Sequence, residues 1–116
     1  MKKVIVVDDS AMMRIWIRDI LQSDSELKVI AEAKDGYEAI ELCRKHHPDT
    51  VILDLVMRDM DGITALKEIL QINPNIEVIV CTSLATDFNK TEALQFGAKD
   101  IVVKPYFNDL INKVKN

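Results

Sequence analysis

The sequence has little with which to leave the cell or enter a membrane. No apolar run approaches the ~20 residues that span a bilayer. Behind Met1-Lys2-Lys3 only four apolar residues follow, Val4 to Val7, too few for the core of a secretory signal. Cysteine is scarce: Cys43 and Cys81 are the only two, and they form no CxxC pair. That argues against a disulfide framework or a thiolate metal site and leaves two reduced, buried thiols in a cytoplasmic protein. Basic charge is in deficit, with 15 Lys and Arg against 19 Asp and Glu and a formal net charge of −4. The cations are scattered, whereas a surface for nucleic-acid phosphates needs them clustered. Glycine and proline number three each, and no Gly- or Pro-rich hinge, linker or low-complexity stretch divides the chain. What remains is 116 residues, 48% apolar and 29% charged, an ordinary composition for one folded domain, expected here to span 1–116.

Apolar strand-like runs alternate with helical patterns from end to end. Val4 to Val7, Val51 to Leu53 and Ile101 to Val103 are continuously apolar, and Ile76 to Val80 is broken only by Glu77. Runs apolar on both faces suit strands covered by helices on both sides. Leu27 to Glu32 is less uniform, as an edge strand would be. Between the runs, Met13, Ile17, Ile20 and Leu21 follow the helical period, as do Ile63, Leu66, Ile69 and Leu70, and later Leu110, Ile111 and Val114. Gly36 and Gly62 sit at helix starts after Asp35 and Asp61, Gly97 at a helix C′ position, and Pro48 and Pro74 where helices should stop. His46 and His47 end the second helix, where cations suit the dipole. Tyr106 and Phe107 are expected to start the last helix, at least one of them packing inward. The order is (βα)₅. Right-handed crossovers then require a parallel sheet with helices on both faces, and ligands bind outside the carboxyl ends of its strands.

Asp8 and Asp9 close the first strand and Asp54 the third. Thr82 follows the fourth, and Lys104 with Pro105 closes the fifth. Taken singly, each Asp reads as a turn residue or a cap, with Ser10 or Asp9 a candidate cap for the first helix. Together they form a set. Three converging carboxylates repel unless one is protonated or a cation neutralises them. An oxygen-only site without His or Cys suits Mg²⁺ rather than zinc. A carboxylate can attack phosphorus and form an aspartyl phosphate. That reaction asks for in-line positioning and positive charge on the phosphoryl oxygens, which Mg²⁺ and Lys104 supply, with the Thr82 hydroxyl as a further donor.

The stretches Val6-Val7-Asp8-Asp9-Ser10-Ala11-Met12-Met13-Arg14, Asp35-Gly36-Tyr37-Glu38-Ala39, Pro48-Asp49, Leu53-Asp54-Leu55-Val56-Met57, Met60-Asp61-Gly62, Cys81-Thr82-Ser83, Gly97-Ala98 and Val103-Lys104-Pro105 carry a resemblance to the response-regulator receiver family over the whole chain. The opening stretch looks closest to stand-alone chemotaxis regulators of the CheY type. The resemblance implies a flavodoxin-like doubly wound α/β fold with strand order 2-1-3-4-5, the order known for flavodoxin and CheY. It implies Asp54 as phosphoacceptor, and Asp8, Asp9, Asp54 and the Val56 backbone carbonyl as Mg²⁺ ligands. The implied function is a two-component switch rather than an enzyme. A histidine kinase or phosphotransfer protein donates the phosphoryl group, and a downstream output protein, such as the flagellar motor, receives the signal.

Three positions depart from the family pattern. Arg58 stands where the family usually has Pro, keeping an N–H and adding a cation near the pocket. Ile101 replaces the Tyr or Phe that turns inward on phosphorylation, so that aromatic rotation is not available here. Val56 and Leu84 are apolar where the family flanks the attacking water, which predicts slow autodephosphorylation.

The first helix carries a second apolar stripe. At 100° per residue, Ile15 points about 175° from the middle of the Met13/Ile17/Ile20/Leu21 face, with Met12 and Trp16 beside it. Beside Asp8 and Asp9, that stripe reads either as scattered surface residues or as the docking face for a kinase's helical bundle. The competing functions are weaker. A haloacid-dehalogenase-type phosphohydrolase needs a second Asp two residues past the nucleophile, where this chain has Val56. A flavodoxin-like cofactor binder needs a phosphate-binding loop after the first strand, which is missing. The receiver of a longer regulator, with a DNA-binding or methylesterase output, is the remaining alternative.

Overall fold

Five parallel strands form one sheet in the order β2-β1-β3-β4-β5 in the computed structural model, which describes residues 1–116. The strands are β1 (Lys2–Val7), β2 (Leu27–Ala33), β3 (Thr50–Leu53), β4 (Glu77–Thr82) and β5 (Asp100–Val103). The helices α1 (Ala11–Gln22), α2 (Gly36–His46), α3 (Gly62–Ile72), α4 (Asp87–Gln95) and α5 (Leu110–Lys115) alternate with them.

Strand alternation divides the interior into two cores. Ile5, Val7, Val51, Leu53, Val78 and Val80 face α2, α3 and α4 through Ala39, Cys43, Leu66, Ile69 and Ala93. Val4, Val6, Ile52, Ile79 and Val102 face α1 and α5 through Ile17, Leu21, Leu110 and Val114. Both faces of the central strands are dry, which is why those runs carry no polar alternation. β2 lies at the sheet edge, and four of its residues are only half-buried.

Helix starts are set by short polar side chains. Ser10 Oγ accepts from Met13 N at 3.2 Å, Asp35 Oδ1 from Glu38 N at 2.8 Å, and Asp61 Oδ1 from Ile63 N at 2.9 Å. Ser10, not Asp9, is therefore the α1 cap. α2 ends on Arg44, Lys45 and His46, basic residues at the negative end of the helix dipole. α4 gives way to Gly97 at φ +108°, where a side chain would also meet Leu70. One expectation fails: Tyr106 and Phe107 lie in a turn, and α5 begins only at Leu110. The Tyr106 and Phe107 N–H groups bond back to Val103 and Pro105, which closes a turn rather than starting a helix. Phe107 is buried in the α1/α5 core, and Tyr106 is exposed. No helix is long and apolar enough to cross a membrane.

Candidate functional site

Parallel register brings the singled-out residues to one end of the sheet. Val7 pairs with Leu53, so Asp8 and Asp54 emerge side by side. Their backbones are fixed by Asp8 N to Ala33 O at 3.0 Å and Asp54 N to Val7 O at 3.1 Å. Thr82, the last residue of β4, pairs with Val103, and Lys104 N bonds Thr82 O at 3.0 Å. Asp8, Asp54 and Thr82 are all buried, whereas Asp9 is exposed at the mouth.

One carboxylate oxygen from each of Asp8, Asp9 and Asp54 lies within 4.8 Å of the others. The Lys104 ammonium donates to Asp8 Oδ2 and, at 3.0 Å, to Asp54 Oδ2. Asp54 Oδ1 accepts from Val56 N at 3.2 Å, and Asp8 Oδ1 accepts from Ser10 N at 2.9 Å. Burial pushes the Asp54 carboxyl above its ordinary range, and the Asp8 charge adds to that. The charge of Lys104 and the Val56 N–H oppose it. For Lys104 burial works downward, but the hydrogen bonds and charges of Asp8 and Asp54 outweigh it and hold the ammonium above the usual lysine range. Lys104 contacts two of the three clustered carboxylates and leaves Asp9 without a contacting cation, and hard oxygen donors without His or Cys fit Mg²⁺. Cys81 precedes Thr82 on β4 but faces the α1/α5 core, where burial pushes its thiol up to about 12.

The Thr82 Oγ1 accepts from Leu84 N at 3.1 Å, which leaves its own O–H free to donate. Beyond Asp54, the loop packs tightly on the start of α3. Gly62 N bonds Leu55 O at 3.0 Å, and a Cβ on Gly62 would sit 2.4 Å from Leu55 Cα and 2.7 Å from Asp54 O. Val56, Arg58 and Leu84 are exposed around the mouth, while Ile101 is half-buried against the α2–α4 core.

One supporting residue escaped the sequence reading. Arg14 Nη1 donates to the Asp8 carbonyl at 2.6 Å, and its Nε reaches Glu32 Oε1 at 3.3 Å. It ties α1 and β2 to the residue that begins the site. Its signal was a cation in the first turn of a helix, where the dipole disfavours positive charge unless something nearby accepts it. The largest cleft, about 410 Å³, lies at the opposite end of the sheet, where the strands begin, among Lys2, His47, Asp49 and Glu77. Much of its charge is already paired, Lys2 with Glu77 at 3.2 Å and Lys115 with Asp24 at 3.0 Å. The chemistry converges elsewhere.

The model of the response regulator receiver domain matches residues 4–115. The chain belongs to the response-regulator receiver family. It is 43% identical to the chemotaxis protein CheY of Bacillus subtilis, covering 98% of each chain. The response regulator domain of Thermotoga maritima CheB superposes with a TM-score of 0.93 at 36% identity, over 99% of this chain and 94% of that one. CheY in the CheX-CheY-BeF3-Mg complex from Borrelia burgdorferi gives 0.91 at 33% identity, over 97% and 86%. The receiver is a component of two-component signalling, and its acidic pocket is where such domains bind Mg²⁺.

Proposed function

We propose that this receiver accepts a phosphoryl group on Asp54 from a histidine kinase or phosphotransfer protein, and thereby changes its affinity for a downstream chemotaxis protein. The observation that carries the reading is the Lys104 ammonium shared between Asp8 and Asp54, with the Asp9 carboxylate within 4.8 Å. Asp8, Asp9, Asp54 and the Val56 carbonyl hold the Mg²⁺, which when bound supplies positive charge to the phosphoryl oxygens. Asp54 attacks phosphorus; the donor's bond to phosphorus breaks, and the histidine leaves with the electron pair. Lys104 steadies the ionised nucleophile and then donates to the phosphoryl group. The free Thr82 O–H donates to another phosphoryl oxygen and draws the end of β4 inward. With Ile101 in place of an aromatic, the signal passes through Thr82 to the surface formed by α4 and β5.

The donor docks on α1. Met12, Ile15 and Trp16 are exposed there at helical spacing, and Trp16 stands edge-on to Phe107 at 5.0 Å. The role in chemotaxis rests on the similarity to the Bacillus subtilis protein over almost the whole of both chains.

Incubation with acetyl phosphate and Mg²⁺, read by intact mass, tests the assignment. The expected result is a Mg²⁺-dependent gain of one phosphoryl group that Asp54→Asn abolishes. A wild-type chain that gains none, or a mutant that gains as much, overturns it. Val56 and Leu84 offer no group to orient water, so the phosphoprotein is expected to survive for minutes or longer after donor removal. Decay within seconds would show that another group activates the water.

A further inference from the structure

Asp9 is the least supported member of the carboxylate cluster. Asp8 is held by Lys104 and the Ser10 N–H, and Asp54 by Lys104 and the Val56 N–H. The Asp9 carboxylate accepts no hydrogen bond and meets no cation, yet one of its oxygens lies within 4.8 Å of the other two ligand atoms. Its direction is therefore set by its backbone. The Asp8 carbonyl belongs to the peptide that carries Asp9, and Arg14 Nη1 donates to it at 2.6 Å. A peptide is planar, so fixing its carbonyl also fixes where the Asp9 N and Cα lie. The guanidinium is held in turn. Its Nε donates to Glu32 Oε1 at 3.3 Å, and the other Glu32 oxygen accepts from Arg18 Nη1 at 2.9 Å. The Arg14 and Glu32 side chains are 18% and 26% exposed, so solvent screens them only in part. A guanidinium serves a carbonyl and a carboxylate with separate N–H groups in fixed geometry, which an ammonium cannot do.

We propose that Arg14, braced by Glu32 of the edge strand, is a positioning residue that aims Asp9 at the Mg²⁺ site and so sets the affinity for the metal; this rests on Asp8, Asp9 and Asp54 being the ligands. Charge and geometry pull in opposite directions here. A cation beside the site repels Mg²⁺, so removing Arg14 would tighten binding if its charge decided. Removing it loosens binding if Arg14 acts by holding the peptide between Asp8 and Asp9. The loss then falls on Asp9, because Asp8 keeps its bonds to Lys104 and Ser10.

Mg²⁺ titration of the amide NMR spectrum, with no phosphodonor present, separates the two. Arg14→Met is expected to weaken Mg²⁺ binding about 10-fold, the low end for groups that orient metal ligands. Arg14→Lys keeps one donor for the carbonyl and is expected to recover part of that loss. In an Asp9→Asn background, Arg14→Met should cost about 2-fold or less, because the carboxylate it aims is gone. With acetyl phosphate, the Mg²⁺ concentration that gives half the maximal rate should rise with the dissociation constant, while the maximal rate falls far less. Binding as tight as wild type or tighter in Arg14→Met, no recovery in Arg14→Lys, or the full loss in the Asp9→Asn background would each overturn the proposal. So would lower stability to urea in chelator with unchanged Mg²⁺ affinity, which would make Arg14 a tie between α1 and β2 and nothing more. A wild type that binds no Mg²⁺ overturns the metal assignment and the role of Arg14 with it. A wild type that binds Mg²⁺ but gains no phosphoryl group overturns the phosphoacceptor reading instead, and the titrations still decide the role of Arg14.

Discussion

Lys104→Met is expected to cost about 3 kcal/mol of folding stability in Mg²⁺-free buffer at neutral pH, the low end for breaking a buried ion pair. The ammonium is the one cation in contact with both Asp8 and Asp54, whose side chains are 2% and 7% exposed. Without it two buried carboxylates face each other with only backbone N–H donors for company. Methionine keeps the length of the side chain, so the loss reflects charge rather than a void. Urea unfolding followed by Trp16 fluorescence, with chelator and then with Mg²⁺, measures it, and Mg²⁺ should restore much of the difference. Asp54→Asn should move the other way. A carboxyl whose folded pKa is raised contributes stability that is complete below its unfolded value of about 3.9 and is lost as pH rises through the folded pKa. Asp54 is raised by burial, so its ionisation at neutral pH weighs against the fold. Asparagine removes that penalty, and the metal-free protein should unfold at higher urea. Equal stability of Lys104→Met and wild type in chelator would mean that the cluster is relieved by protonation or water and not by Lys104.

The parts of the fold that sequence reading reaches are those where burial is one-dimensional. β1 and β3 lie between two helical layers, so every residue from Val4 to Val7 and from Thr50 to Leu53 is buried and the runs are plain. The edge position of β2 shows for the converse reason. α4 is harder to read, because Ala93 is its one buried residue while Phe88 and Leu94 are exposed, so its apolar residues do not trace its inner face. The turn at Tyr106 and Phe107 escaped because it is closed by backbone bonds that any residue makes. At the site, Asp8, Asp9, Asp54, Thr82 and Lys104 could be gathered by the strand-end rule. Their pairing could not. That Lys104 spans Asp8 and Asp54 depends on the register of β4 with β5, and Arg14's bond to Asp8 depends on where α1 crosses β2.

Gly62→Ala is expected to cost about 3 kcal/mol, the upper part of the range for overpacking a dense interior. Its backbone has no left-handed strain to explain a glycine. The reason is space: an added Cβ would stand 2.4 Å from Leu55 Cα, 2.8 Å from Leu55 C and 2.7 Å from Asp54 O. These are backbone atoms, and no rotamer change can move them. Either α3 withdraws, breaking the Gly62 N to Leu55 O bond of 3.0 Å, or the segment from Asp54 to Asp61 shifts outward. The second route moves Asp54, the proposed phosphoacceptor, relative to Lys104 and displaces the Val56 carbonyl proposed to bind Mg²⁺. The methyl group should therefore weaken Mg²⁺ binding and slow phosphorylation more than its stability loss alone explains. Serine at the same position should behave like alanine, because both carry the Cβ that collides. Urea unfolding gives the stability change, and Mg²⁺ titration of the folded variant gives the change at the site. A variant as stable as wild type would mean that the loop past Asp54 yields freely, and then α3 does not hold Asp54 in place.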